Sequence, residues 1–172
     1  VFGFRLHFLL DEPREALEYQ LKAIEAWDRN PHEKKNRCRR YILGISNVLQ
    51  MAEILRDTDL IEEYLQRLKQ LETEYEADET TRLGIYSQYK LELLLQRGEY
   101  ETLEKACDDL FKYYQERINP QEAHHKYLNY STLSVSYFVL GRYEQALEVI
   151  DALLDTETVS YTHLRAHETR FY

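Results

Sequence analysis

The stretch that decides the fold is YSTLSVSYFVLGRYEQALEVI, residues 130–150. Ahead of its glycine, Tyr130, Leu133 and Tyr137 recur every three or four positions, the spacing of one helix face. Behind it, Tyr143, Ala146 and Ile150 repeat that spacing. Gly141 between the two runs supplies the left-handed residue that ends a helix. The same punctuation stands 43 residues upstream: Gly98-Glu99-Tyr100-Glu101 matches Gly141-Arg142-Tyr143-Glu144.

A second mark recurs as Asn30-Pro31-His32-Glu33 and Asn119-Pro120-Gln121-Glu122. In each, Asn is expected to cap the first turn, Pro to occupy the first helical position, and Glu to complete a capping box. Asp78 is expected to cap a further helix. These marks predict helices over 1–10, 13–29, 31–56, 60–76, 79–97, 99–118, 120–140 and 142–155. Linkers of roughly two to four residues make neighbouring helices antiparallel. The core is expected at Val48, Met51, Ala52 and Leu55, then Ile61, Tyr64, Leu68 and Leu71. Further along, it is expected at Leu91, Leu94 and Leu95 and at Leu103, Leu110 and Phe111.

The whole composition agrees. The 172 residues amount to about one domain. They include 22 Lys+Arg against 31 Asp+Glu, a formal net charge of -9, with 44% apolar and 31% charged residues. That balance excludes a disordered, collagen-like or disulfide-stapled chain. Five glycines and three prolines leave room for few tight turns and argue against an all-β fold. No run of about 18 apolar residues exists to cross a membrane, and no secretory signal opens the chain. Cys38 and Cys107 are too far apart to read as a disulfide framework or a zinc site. A reducing, cytoplasmic setting is therefore expected. The chain opens at Val1 and its only methionine is Met51, so it reads as a fragment.

These hairpins resemble tetratricopeptide repeats. The last one carries the likeness best, with Tyr130, Leu133, Ser134 and Tyr137 on its first helix, then Gly141, Tyr143, Ala146 and Ile150. Glu15-Ala16-Leu17-Glu18-Tyr19 through Lys22-Ala23-Ile24-Glu25 matches a second helix. The hairpin around Gly98 keeps the turn, although Lys90 and Leu91 stand where Leu and a small residue are expected. The hairpin around Asp57 lacks the glycine and keeps the small residue as Ala52. The repeats are elongated, with periods of about 41 to 48 against a typical 34. The resemblance covers 1–155 and implies an all-α, right-handed solenoid of antiparallel helical hairpins, about seven or eight helices, with a truncated first repeat.

The tail resembles something else. Val159-Ser160-Tyr161-Thr162-His163-Leu164-Arg165-Ala166-His167-Glu168-Thr169-Arg170 is similar to translated sequencing-adaptor read-through. Residues 156–172 are accordingly expected to be a non-native or disordered tail.

Chemistry-bearing patterns are sparse. The chain contains no phosphate loop, GxSxG, HExxH or CxxC. His163 and His167 lie four apart but lack a third ligand. His124 and His125 are adjacent and would point about 100° apart on a helix. Cys107 falls at core spacing and reads as a small hydrophobe. Tyr86, Tyr89, Tyr113, Tyr114, Tyr127, Tyr130 and Tyr137 read mainly as packing between helices, some as groove residues. Lys34, Lys35, Arg37, Arg39 and Arg40 form a basic run. It reads either as an anion contact or as a solvated face paired with acids of a neighbouring helix. The rest of the chain is acidic, which disfavours nucleic acid.

The resemblance also implies a concave groove lined by the first helix of each hairpin. That puts Gln50, Glu53 and Arg56 in the groove from one repeat, Gln88, Tyr89, Glu92 and Gln96 from the next, and Ser131, Val135 and Phe138 from the last. The expected function is a protein-interaction scaffold that takes a peptide or partner helix there, with no catalysis, metal or cofactor. Self-association through uncapped solenoid ends is a further expectation. The alternative is a sensory or regulatory module of a larger signalling protein.

Overall fold

A computed structural model describes residues 12–116 and 123–154. The described residues are helical, with no strand among them. Helix α1 spans Pro13–Asp28, α2 Pro31–Asn36, α3 Cys38–Leu55, α4 Thr58–Gln70, α5 Glu76–Arg97, α6 Tyr100–Glu116 and α7 Ala123–Val139. A last helix, α8, covers 143–154. No described helix is long and apolar enough to cross a membrane. The helix expected over 1–10, the second Asn-Pro mark, His163, His167 and the tail lie outside the described residues, as do the side chains of His124, His125 and Tyr127.

Three of the turns are built alike. Gly98 and Gly141 have φ of 67° and 73°. Arg56 takes the same left-handed conformation, φ 56° and ψ 34°, where the hairpin around Asp57 lacks its glycine. All three helix ends close identically. The N–H groups of Arg56, Gly98 and Gly141 bond the carbonyls of Glu53, Leu95 and Phe138. The N–H groups of Asp57, Glu99 and Arg142 bond those of Ala52, Leu94 and Tyr137. This double closure satisfies carbonyls that a bare helix end would leave without partners. The next helix then starts on the carbonyls of Asp57, Glu99 and Arg142 themselves.

Four local expectations are corrected. Asn30 makes no side-chain cap to α2; its Nδ2 donates backward to the Ala26 carbonyl at 2.8 Å, closing α1 instead. Glu33 pairs with Arg37 at 3.1 Å. The single helix expected over 31–56 breaks at Arg37, whose φ of -127° and ψ of 41° leave the helical region. Asp78 is no cap: α5 begins at Glu76, and Asp78 lies buried in its first turn. The helix expected over 60–76 stops at Gln70, because Leu71 turns extended. The segment after it is pinned by side chains. Thr73 Oγ1 donates to Glu79 Oε2 at 2.9 Å, and Arg82 Nη1 donates to the Leu68 carbonyl at 2.8 Å.

The chain forms two compact units, Val1–Tyr89 and Lys90–Tyr172. In the first, α3 packs against α1, α2 and α4. Ile24, Ile42, Ile45, Leu49, Ile61 and Leu68 are buried at its centre. A Cβ at Gly44 would sit 3.1 Å from Ile24 Cδ1, so glycine allows α1 and α3 their close approach. In the second, α6 packs on α7. Leu91, Leu94, Leu103, Phe111, Tyr130, Leu133, Tyr137 and Val149 share one cluster. Burying each large apolar side chain contributes about 1.5–3 kcal/mol. Tyr114 and Tyr130 meet edge to face at 5.7 Å, as do Phe111 and Tyr137 at 6.4 Å, the geometry that ring quadrupoles favour. The expectation of tyrosines packed between helices holds for Tyr114, Tyr130 and Tyr137.

Candidate functional site

In the first unit the basic run divides. Lys34 Nζ lies 2.9 Å from Asp28 Oδ1 and 4.1 Å above the Tyr41 ring. Arg67 Nη1 reaches the other Asp28 oxygen at 3.0 Å. Burial opposes ionisation of Asp28, but the hydrogen bonds and charges of Lys34 and Arg67 outweigh it and hold the carboxyl below its ordinary value. Lys35 Nζ pairs with Glu74 Oε1 at 2.7 Å. Lys34 thus pairs with an acid of the neighbouring helix α1, as one reading of the run expects, whereas Lys35 pairs with an acid in the segment between α4 and α5.

The arginines face elsewhere. The break at Arg37 leaves Arg37, Arg39 and Arg40 around a cleft of about 620 Å³. Asn36, Cys38, Leu43, Tyr75 and Asp78 complete its wall. Arg37 is engaged by Glu33. Arg39 and Arg40 are exposed and make no ion pair or hydrogen bond through their side chains with another described residue. Asp78 is only 9% exposed. The first turn of α3 carries no acidic side chain, so the positive end of its dipole is uncompensated. Cys38 is a free buried thiol, pushed up by burial and then by the nearby Asp78 charge.

The second unit presents an apolar face. On α7, Val135, Phe138 and Val139 are 53%, 63% and 49% exposed, while Leu133 and Tyr137 on the same helix are buried. Tyr143 is exposed as well and leans on Phe138, ring centres 5.4 Å apart. Leu147, Ile150 and Leu154 form an exposed apolar stripe along α8.

The residues expected in the groove fall into several environments. Gln50 and Glu53 are half-buried at successive turns of α3, and burial raises the Glu53 carboxyl above its ordinary value. Arg56 is the left-handed helix end. Gln88 is half-buried, but Tyr89 is 6% exposed and belongs to the interior. Glu92 is half-buried and accepts from Thr132 Oγ1 at 3.4 Å, while Gln96 and Ser131 are exposed. Only Val135 and Phe138 join a contiguous exposed apolar surface. Sequence reasoning missed Val139 and Tyr143 beside them, although the i, i+3, i+4 spacing from Val135 signals the first. It also missed Tyr75 and Asp78, which the fold alone brings to the arginines.

Burial pushes the Cys107 thiol up to about 12, which keeps it protonated and a poor nucleophile. Among the described residues no group of three or more His, Cys, Asp or Glu could hold a metal ion. No family model, curated protein or solved structure matches the chain.

Proposed function

We propose that this chain is a protein-interaction module of tetratricopeptide-like hairpins, without chemistry of its own. The three helix ends at Arg56, Gly98 and Gly141, closed by the same pair of backbone bonds, support the repeat reading. The observation that carries the binding reading is the exposed aromatic pair Phe138 and Tyr143, flanked by Val135 and Val139. Large apolar groups grouped on a surface mark interaction sites, and aromatic anchors dominate their energetics. The partner is an amphipathic helix or peptide that lays two or three apolar side chains against α7 and is held in register by Ser131 and Gln96. A reducing compartment suits two free, buried cysteines.

The test is a peptide selected against the purified chain from a displayed library. Phe138→Ala with Val135→Ala weakens it by about 10-fold or more, with the thermal melt unchanged. Undiminished binding to that double variant overturns the assignment. A concentration-dependent dimer abolished by the same changes would assign the face to a second copy of the chain.

A further inference from the structure

The second unit contains one hairpin pattern twice, and only the first copy is covered. Residues 91–97 of α5 with α6, and α7 with α8, align at the 43-position spacing of Gly98 and Gly141. Burial follows that register at most positions. Leu103 and Ala146 are buried, Glu104 and Leu147 exposed, Asp108 and Asp151 exposed. On the second helix it departs sharply at two places. Cys107 and Phe111 are 0% and 9% exposed, whereas their equivalents Ile150 and Leu154 are 38% and 54% exposed. On the first helix, Leu95 is half-buried and its equivalent Phe138 is exposed.

Helix α7 makes the difference, because it lies over the first copy. Tyr130 and Tyr137 stand against Phe111 with ring centres 5.9 and 6.4 Å away, and Thr132 Oγ1 donates to Glu92 Oε1. The Tyr137 hydroxyl and Arg142 both close on Asp108, at 2.8 and 3.1 Å. The second copy keeps what this cover uses. Ile150 and Leu154 are large and apolar, and Asp151 stands where Asp108 accepts its two donors.

We infer that the open side of the α7–α8 hairpin docks a partner helix that repeats the covering face of α7, with apolar and aromatic side chains over Phe138, Ile150 and Leu154 and a tyrosine hydroxyl or arginine on Asp151. The inference rests on the interaction reading above and names its partner. An extended peptide lacks the i, i+3, i+7 face that Tyr130, Leu133 and Tyr137 present together. An acidic helix is disfavoured by the exposed Glu144, Glu148 and Asp151 beside the apolar stripe. A second copy of the chain keeps its own α7 packed on α6 and has no such face to lend.

The probe is a dye-labelled peptide copying residues 126–142, held helical by a hydrocarbon staple between the positions of Ser131 and Val135. Titrated with the full chain in fluorescence polarisation, it binds at about 1–100 μM. Ile150→Ser with Leu154→Ser weakens it about 10-fold or more; both side chains are exposed, so the thermal melt stays put. Asp151→Asn weakens it about 5- to 10-fold, and a peptide with Tyr137→Phe is insensitive to that change. Asp109→Asn, an exposed acid of α6, leaves binding unchanged. No binding at about 1 mM overturns the inference, and so does binding that survives the serine variant. Equal losses with Asp109→Asn and Asp151→Asn overturn it in favour of general charge attraction. A concentration-dependent dimer of the chain alone, lost in the serine variant, overturns it in favour of a second copy. A library-selected peptide that needs Phe138 but ignores Ile150 and Leu154 sinks this inference and spares the broader reading; one indifferent to Phe138 and Val135 sinks the broader reading.

Discussion

Tyr137 donates a 2.8 Å hydrogen bond to Asp108 Oδ1, joining α7 to α6 across 29 positions of sequence. The ring is 1% exposed, whereas the carboxylate also takes Arg142 Nη1 at 3.1 Å. Tyr137→Phe keeps the ring and removes only the donor. It is expected to lower unfolding free energy by about 1 kcal/mol, measured by urea denaturation. A loss below the resolution of that measurement would mean that Arg142 alone satisfies Asp108.

The second unit also has a pH signature. Burial raises the Cys107 thiol and the Tyr130 hydroxyl each to about 12, and raises Tyr137 further, helped by the Asp108 charge. The folded state then holds protons that the unfolded chain releases above its ordinary values of about 8.5 for Cys and 10 for Tyr. Stability from these groups is complete below that range and falls as pH rises through it toward about 12. Denaturation midpoints measured from pH 7 to 11 should decline at the alkaline end, and Cys107→Ala should delay the onset. A flat profile contradicts the burial of these groups.

Asp28 sets the opposite dependence in the first unit. Its carboxyl is held below the ordinary value despite burial, by Lys34 and Arg67. That contribution is present above the unfolded value near 4 and is lost as pH falls through the lower folded value. Asp28→Asn should cost about 1 kcal/mol at neutral pH, since the group is partly solvated and screened. The cost should shrink in high salt and in acid. A cost independent of both would point to packing rather than charge.

Arg56 holds the left-handed conformation that glycine holds at the two equivalent turns. The strain of about 1–2 kcal/mol for an L residue exceeds the extra entropy glycine loses on folding. Arg56→Gly should therefore stabilise the fold by roughly 0.5–1 kcal/mol in chemical denaturation. The reverse change, Gly141→Ala, meets no atom within 4 Å and should destabilise through backbone strain alone.

Tyr89 and Phe138 were both expected to line the groove, from different repeats, yet their exposures are 6% and 63%. Tyr89→Ala should cost about 3 kcal/mol or more, as a buried aromatic does. Phe138→Ala should cost less than about 1 kcal/mol. Thermal melts of the two single variants distinguish them; equal small losses would return Tyr89 to the surface.

Much of the helical pattern was legible because helix formation is governed by local spacing. Tyr130, Leu133 and Tyr137 predict one buried face, and all three are buried. Gly98 and Gly141 announced their turns, since only a residue without Cβ adopts positive φ at little cost. The Arg56 turn was hidden, because arginine carries no such preference. The Asn30 cap failed because the side chain found the Ala26 carbonyl behind it rather than the amides ahead. The site was less legible than the fold. The resemblance named Val135 and Phe138 but could not separate Tyr89 from them.

The sequence by itself determined the helical class, its two glycine-closed turns and the division of each helix into apolar and polar faces, all properties of neighbours within one or two turns. Only the tertiary structure decided which charges meet. Arg67 reaches Asp28 from 39 positions away, and Tyr75 and Asp78 come to the arginines of α3. Such pairings depend on how helices pack, and a linear pattern carries no record of that.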